Sequence, residues 1–151
     1  MSRGERSPEG AAMGPRDFLK TVYLGDRGCK GVFIDSWRER VTIHVNVISR
    51  VRGTSGAWDY YTDEDITDGH LVFTGVKSIC FEPSGPLPND FIYEVLIEEE
   101  LVSTPGSEMF NASISVGSVG EEEAPTEVVI KIQAKGLHLE DPARPGQEIR
   151  S

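Results

Sequence analysis

The sequence lacks the features that mark several common protein classes. It has only two cysteines, Cys29 and Cys80, and no CxxC pair, so neither a disulfide framework nor a zinc ribbon is predicted. We expect two reduced thiols, with Cys80 buried, although a bridge depends on their separation in space. No run approaches the roughly 18 to 20 apolar residues that cross a bilayer, and the N-terminus lacks the apolar core of a signal peptide. The expected location is therefore the cytoplasm.

Motifs of catalysis and of nucleotide or metal binding are also missing. There is no GxSxG elbow, no GxxxxGK[ST] loop and no GxGxxG after a strand. His44, His70 and His138 occur singly, without metal-ligand spacing, and each is expected to be a half-exposed strand residue. Basic residues on either side of Cys29 could lower its pKa, but no partner base is evident. The sequence thus predicts no catalytic residue, no metal and no cofactor.

Basic residues are scarce in the middle of the chain. The whole protein has a net charge of -10, yet residues 17–52 hold seven Lys or Arg against four acids. Residues 53–130 hold one Lys against sixteen acids, a balance of -15. Such a field repels phosphate backbones and anionic membranes, which argues against nucleic-acid and membrane partners. It favours a basic protein or a cation, unless the acidity serves only solubility.

Hydrophobic periodicity indicates the fold class. Apolar residues alternate with polar ones in VTIHVNV from Val41, MFNASISV from Met109 and EVVIKIQA from Glu127, which is typical of half-buried strands. Further strands are predicted in GVFIDSW, HLVF, VKSICF, DFIYEVLIEEE and LHLE. One short helix is predicted over FLKTVYLG, with Asp17 as its N-terminal cap. Seven or eight short strands predict a mainly β protein, built as an antiparallel sandwich or a strongly curved sheet.

Composition predicts the domain boundaries. Residues 1–16 are rich in Gly, Ser, Pro and Arg without periodicity, so we predict a disordered lead. Residues 17–140 are predicted to form a single β-rich domain. Residues 141–151 are predicted to form a flexible, proline-containing tail.

The segment WDYYTDEDITDG, residues 58–69, admits several interpretations. An EF-hand frame from Asp63 fails, because Asp68 stands where glycine is required. A looser cation site from Asp63, Asp65 and Asp68 stays open. The structural interpretation is that Thr62 caps a helical turn and that Asp68-Gly69 reverses the chain into HLVF.

Aromatic residues beside the acids favour a protein interface, because exposed rings rimmed by charge are typical of binding hot spots. The alternative is that Trp58 and Tyr60 anchor the core and only Tyr61 is exposed. The residues predicted to bind a partner are Trp58, Tyr61, Asp63, Glu64, Asp65, Asp68, Glu94 and Glu98.

The phrases DFLKTVYLGDRGCKGVFIDSW, ISRVRGTSGAWDYYTDEDITDGHLVFTGVKSI and GPLPNDFIYEV resemble a small bacterial domain family of unknown function. This resemblance implies no activity, cofactor or site residue. In size, acidity and β-rich character the chain is also similar to some toxin-neutralising immunity proteins. We therefore expect a non-enzymatic protein-binding module of the bacterial cytoplasm, with immunity as its specific form.

Two other function classes stay open at this point. The first is a divalent-cation-dependent ligand binder, or a hydrolase, using the carboxylates of Asp63, Asp65 and Asp68. The second is a structural or assembly subunit that pairs through exposed strand edges. The sequence predicts no oligomeric state.

Overall fold

The computed structural model describes residues 14–50, 65–98, 109–120 and 126–150. Over these residues the chain forms one short helix and eleven strands, and every strand pairing is antiparallel. The elements are α1 (Pro15–Leu19), β1 (Val22–Tyr23), β2 (Cys29–Asp35), β3 (Arg40–Val45), β4 (Val47–Arg50), β5 (Ile66–Thr67), β6 (His70–Thr74), β7 (Ser78–Glu82), β8 (Ile92–Ile97), β9 (Phe110–Ser118), β10 (Thr126–Ala134) and β11 (Gly136–Glu140). The predicted mainly β, antiparallel class with one short N-terminal helix is confirmed.

Two four-stranded sheets enclose the core, in the orders β11-β6-β3-β2 and β7-β10-β9-β8. Their inner faces carry the apolar residues of each alternating strand, and these form one buried cluster. Phe73 of β6 and Phe110 of β9 meet across it, with ring centroids 6.4 Å apart. Burying each large apolar side chain stabilises the fold by about 1.5–3 kcal/mol. The period-two pattern therefore decides which face of each strand turns inward.

The helix is shorter than predicted and begins earlier. Gly14 is its N-cap and Pro15 follows as the first helical residue, while Asp17 lies inside the first turn. The prediction that Asp17 caps the helix was therefore wrong. Val22 and Tyr23 leave the helix and pair with β4 as a strand, since tertiary pairing overrides a weak helical periodicity.

The strand number exceeds the predicted seven or eight because β1 forms within the predicted helix and because two long strands bend. The predicted strand from Val41 to Val47 breaks at Asn46 into β3 and β4. Opposite it, β5 and β6 are separated by Asp68, which has a positive φ of 56°, and by Gly69. One register holds on both sides of the bend, since His44 pairs with His70 and Ile48 with Ile66. Asp68-Gly69 therefore bends the chain, and the predicted reversal there was wrong.

Backbone hydrogen bonds join the two four-stranded sheets along one side. Gly28, just before β2, bridges Phe91, just before β8. The Cys29 amide donates to the Asp90 carbonyl at 3.0 Å, and the Ile92 amide donates to the Arg27 carbonyl at 2.7 Å. These bonds tie the first residues of edge strands β2 and β8 together. Beyond them the two edges diverge into opposite sheets.

Residues 141–150, predicted to belong to a flexible tail, turn back onto β11. Leu139 and Ile149 exchange two backbone hydrogen bonds of 2.9 and 2.8 Å. The side chain of Ile149 packs against the core cluster. The proline-rich composition of this segment did not indicate that contact, because a single apolar residue carries no periodicity.

Candidate functional site

Four of the predicted partner-binding residues, Trp58, Tyr61, Asp63 and Glu64, lie outside the described residues. The segment that contains them connects β4 to β5, two strands that pair directly with each other. Asp65, immediately before β5, is exposed to solvent.

Asp68 lies at the bend between β5 and β6, where its carboxylate receives two partners. Lys30 Nζ lies 2.8 Å from Asp68 Oδ1, and His44 Nε2 lies 3.2 Å from the same oxygen. The hydrogen bond from Lys30, followed by that from His44, lowers the pKa of Asp68. The protein itself therefore partly neutralises this charge.

Glu94 and Glu98 lie together on the outer side of the β7-β10-β9-β8 sheet. Glu94 pairs with Ser115, and Leu96 pairs with Ser113. The two serines alternate along β9 with the core residues Ile114 and Val116, so their side chains lie on the outer side of the sheet. Glu82 of β7 and Glu127 of β10 share this side through their own cross-strand partners. We call these four glutamates, with the residues between them, the acidic sheet face.

The acidic sheet face has a single basic residue on its described strands. Lys131 Nζ lies 3.0 Å from Glu82 Oε1, and the hydrogen bond to Glu82 raises the pKa of Lys131. Glu98 accepts a hydrogen bond of 3.1 Å from the hydroxyl of Ser113. Most of the remaining residues are small and polar: Ser78, Cys80, Asn111, Ser113, Ser115 and Gln133. The result is a low, negatively charged surface.

Two large apolar side chains stand among these acids. Leu96 is 48% exposed and Tyr93 is 52% exposed. A Cβ added at Gly117 would come within 2.7 Å of the Tyr93 hydroxyl, so the tyrosine ring extends across that glycine on the outer side of the sheet. The glycine leaves room for the ring to lie along the sheet. The acidity of the sequence indicated Glu94 and Glu98 but not Tyr93 and Leu96, because β8 shifts register between Ile92 and Glu94.

The three histidines converge on the outer side of the other sheet. His44 and His70 are cross-strand partners with ring centroids 5.2 Å apart. Desolvation, and then the nearby His44, lower the pKa of His70. His138 pairs with Val72 on β6 and is 0% exposed. The prediction that each histidine is half-exposed was therefore wrong for His138.

His138 is part of a charged cluster between β11 and the returning C-terminal residues. Its Nε2 lies 2.8 Å from Glu140 Oε2, and a ligand atom of Glu148 lies within 4.8 Å of both residues. A histidine and two carboxylates suit a divalent metal. However, Arg40 binds Glu140 and Arg150 binds Glu148, so both carboxylates already have cationic partners. The cluster is therefore a set of ion pairs, and the backbone hydrogen bonds between Leu139 and Ile149 are what hold the C-terminal residues against β11.

The prediction that Cys80 is buried was wrong. Both thiols are free, but Cys29 is buried and Cys80 is exposed. Burial raises the pKa of Cys29, and a backbone hydrogen bond at Gly31 opposes this only in part. The possible lowering of this pKa by basic neighbours is not seen, because desolvation is the largest influence on the thiol.

We expect a thiol reagent to modify Cys80 quickly and Cys29 only after unfolding, since the thiolate is the reactive species. Counting modified thiols by mass spectrometry, before and after adding denaturant, checks this. The Cys80→Ser variant serves as control and should show no rapid reaction. Fast modification of that variant would contradict the burial of Cys29.

Among the described residues, no helix has the length and apolar character to cross a membrane. Comparison with curated proteins and with solved structures found no match. A family model, described as a family of unknown function (DUF6258), matches residues 13–151, in agreement with the resemblance seen in the sequence. The chain therefore belongs to this family of unknown function.

Proposed function

We propose that the protein is a non-enzymatic binding module of the bacterial cytoplasm that recognises a basic protein through the acidic sheet face. The observation that carries this proposal is the placement of Glu94 and Glu98 beside the exposed Tyr93 and Leu96 on one outer surface. Neutralisation of a toxin is the specific form that the size and acidity of the chain favour.

The charge of this surface supports fast and selective encounter with a basic partner. Four glutamates against one lysine give the acidic sheet face a balance of -3, within a chain of net charge -10. Complementary fields raise association rates and repel partners of the wrong sign. Lys131 is already paired with Glu82, so Glu94 and Glu98 carry most of the uncompensated charge.

The exposed apolar side chains supply the binding energy that charge alone does not. Binding energy in protein interfaces is concentrated in a few aromatic or large apolar anchors, surrounded by a polar rim. Tyr93 and Leu96 suit the anchor role, and the glutamates suit the rim. Asp68 is less suited than these glutamates to an interface rim, and less suited to a cation site, because Lys30 and His44 already bond its carboxylate.

Removing the rim charges is expected to weaken partner binding. A cross-linked pull-down from the native host would identify the partner, which is then purified and titrated against each variant. We expect Glu94→Gln with Glu98→Gln to raise the Kd about tenfold at low salt, and by less at high salt.

A matched control separates this face from net charge. Asp141→Asn with Glu148→Gln removes the same two charges from the C-terminal residues, which lie against β11 of the other sheet, and should leave the Kd within about twofold, the ordinary effect of distant surface substitutions. Equal weakening by both double variants would count against the acidic sheet face. Unchanged binding by Glu94→Gln with Glu98→Gln would do the same.

A further inference from the structure

The tip of the β2–β3 hairpin presents an unusual side chain. Trp37 is 94% exposed, although the indole ring is among the largest apolar groups in proteins. Two other exposed apolar residues lie on the same hairpin: Ile34, opposite the core residue Val41, and Phe33, on the other face of β2. A fully exposed indole on a hairpin with further exposed apolar side chains is typical of an interaction surface.

The turn that carries Trp37 is held in place from several sides. Asp35 Oδ1 accepts a hydrogen bond of 3.1 Å from the Arg38 amide, and the Ser36 carbonyl accepts one of 3.3 Å from the Glu39 amide. Glu39 has a positive φ of 56°, and its carbonyl accepts a 2.9 Å bond from the Val76 amide. An exposed ring on a preorganised turn loses little conformational freedom when it binds.

A cavity lies directly beside this turn. It has a volume of about 260 Å³ and lies between the hairpin, residues 34–41, and the segment 76–79 that leads into β7. Its apolar walls come from Ile34, Val41, Val76 and Ile79. This volume is of the order of one large aromatic side chain, so the cavity can accept an indole ring. The ring and its matching cavity therefore occupy neighbouring positions on one end of the molecule, which we call the hairpin end.

The charge of the hairpin end differs from that of the rest of the chain. Residues 34–41 and 76–79 contain Arg38, Arg40 and Lys77 against Asp35 and Glu39, a balance of +1 in a protein of net charge -10. Two copies of an acidic chain repel each other, and they approach at least cost through surfaces without net negative charge. The ion pairs of Arg38 with Asp35 and of Lys77 with Glu39 are both long, at 3.9 Å. Arg38 of one copy can therefore pair with Glu39 of another.

We propose that the hairpin end is a self-association surface, in which Trp37 of each copy enters the cavity beside Trp37 of the other. Because the ring and the cavity are adjacent, a twofold axis next to the turn satisfies both insertions at once, as in isologous dimers. The surface is small, so the dimer is weak and forms only at high protein concentration. This inference is independent of the proposed partner of the acidic sheet face.

Sedimentation velocity over a series of protein concentrations, from micromolar to millimolar, tests the proposal. We expect the wild-type protein to dimerise within this range. Trp37→Ala and Ile34→Lys each are expected to raise the dimer dissociation constant by more than about 30-fold, as loss of an interface anchor does. Leu87→Ala, which truncates another exposed apolar residue away from the hairpin end, should leave it unchanged. A wild-type monomer throughout, or a Trp37→Ala variant that dimerises equally well, overturns the proposal.

Fluorescence tests the insertion separately. The protein has two tryptophans, so Trp58→Phe leaves Trp37 as the only indole. Its emission should shift to shorter wavelength as dimer forms, because the ring leaves water for a cavity with apolar walls at Ile34, Val41, Val76 and Ile79. A dimer whose Trp37 emission stays that of an exposed indole would refute the insertion.

Discussion

Replacement of Phe73 by alanine is expected to lower the free energy of unfolding by about 3–5 kcal/mol, the range for truncating a buried phenylalanine. Phe73 is 0% exposed and meets Phe110 of the opposite sheet across the core. The loss combines the transfer of the ring to water with the cavity left behind, since the two sheets cannot collapse fully around it. Urea denaturation followed by circular dichroism measures the change.

Phe33→Ala is the matched control, because it removes the same ring from the exposed side of β2. We expect it to cost less than about 1 kcal/mol, as most substitutions of exposed side chains do. Denaturation is compared at low protein concentration, so that self-association does not contribute. Equal losses for the two variants would contradict the assignment of Phe73 to the core between the sheets.

Replacement of Arg50 by alanine is expected to destabilise the protein by at least about 2 kcal/mol, since hydrogen bonds to a charged group contribute about 1.5–3 kcal/mol. Arg50 ends β4 and is buried. Its guanidinium donates to the Thr21 carbonyl at 3.3 Å and to the Thr21 hydroxyl at 3.0 Å. It also lies 5.7 Å from the centroid of the Phe18 ring in α1. Arg50 therefore ties the helical segment to the small β1-β4-β5 sheet.

The same denaturation assay tests the role of Arg50. Arg50→Lys keeps the charge but loses the planar fork, so an intermediate loss is expected. Arg144→Ala removes an exposed arginine and should change the free energy of unfolding by no more than about 0.5 kcal/mol. If the Arg50→Ala variant is as stable as the Arg144→Ala variant, the buried guanidinium of Arg50 does not hold α1 in place.

Local patterns predicted the strands but not their neighbours. The alternation in MFNASISV and EVVIKIQA identified β9 and β10, and HLVF and VKSICF identified β6 and β7. Nothing in the chain between β6 and β7 shows that they enter opposite sheets. Pairing is decided by which apolar faces bury each other, and its partners lie far apart in sequence. The bend at Asn46 and Asp68 escaped prediction for the same reason, because one register continues across it.

The structure departs further from the predicted partner-binding site than from the predicted fold. Sequence grouped Asp68 with Glu94 and Glu98 by their charge, whereas the structure places Asp68 against Lys30 and His44. Glu94 and Glu98 share the outer side of one sheet with Glu82 of β7 and Glu127 of β10, which no spacing along the chain indicates. Charge can be counted from a sequence, but its compensation depends on distances in space.

The sequence by itself determined the mainly β class, the inward face of most strands, the acidity of residues 53–130 and the absence of common catalytic motifs. These properties follow from composition and from a side-chain period of two, which any chain expresses locally. Only the tertiary structure decided that all three histidines share one side of a sheet, that Tyr93 stands among glutamates, and that Trp37 lies beside a cavity of matching size. Each depends on contacts between distant segments, which form because both sheets must bury their apolar faces together.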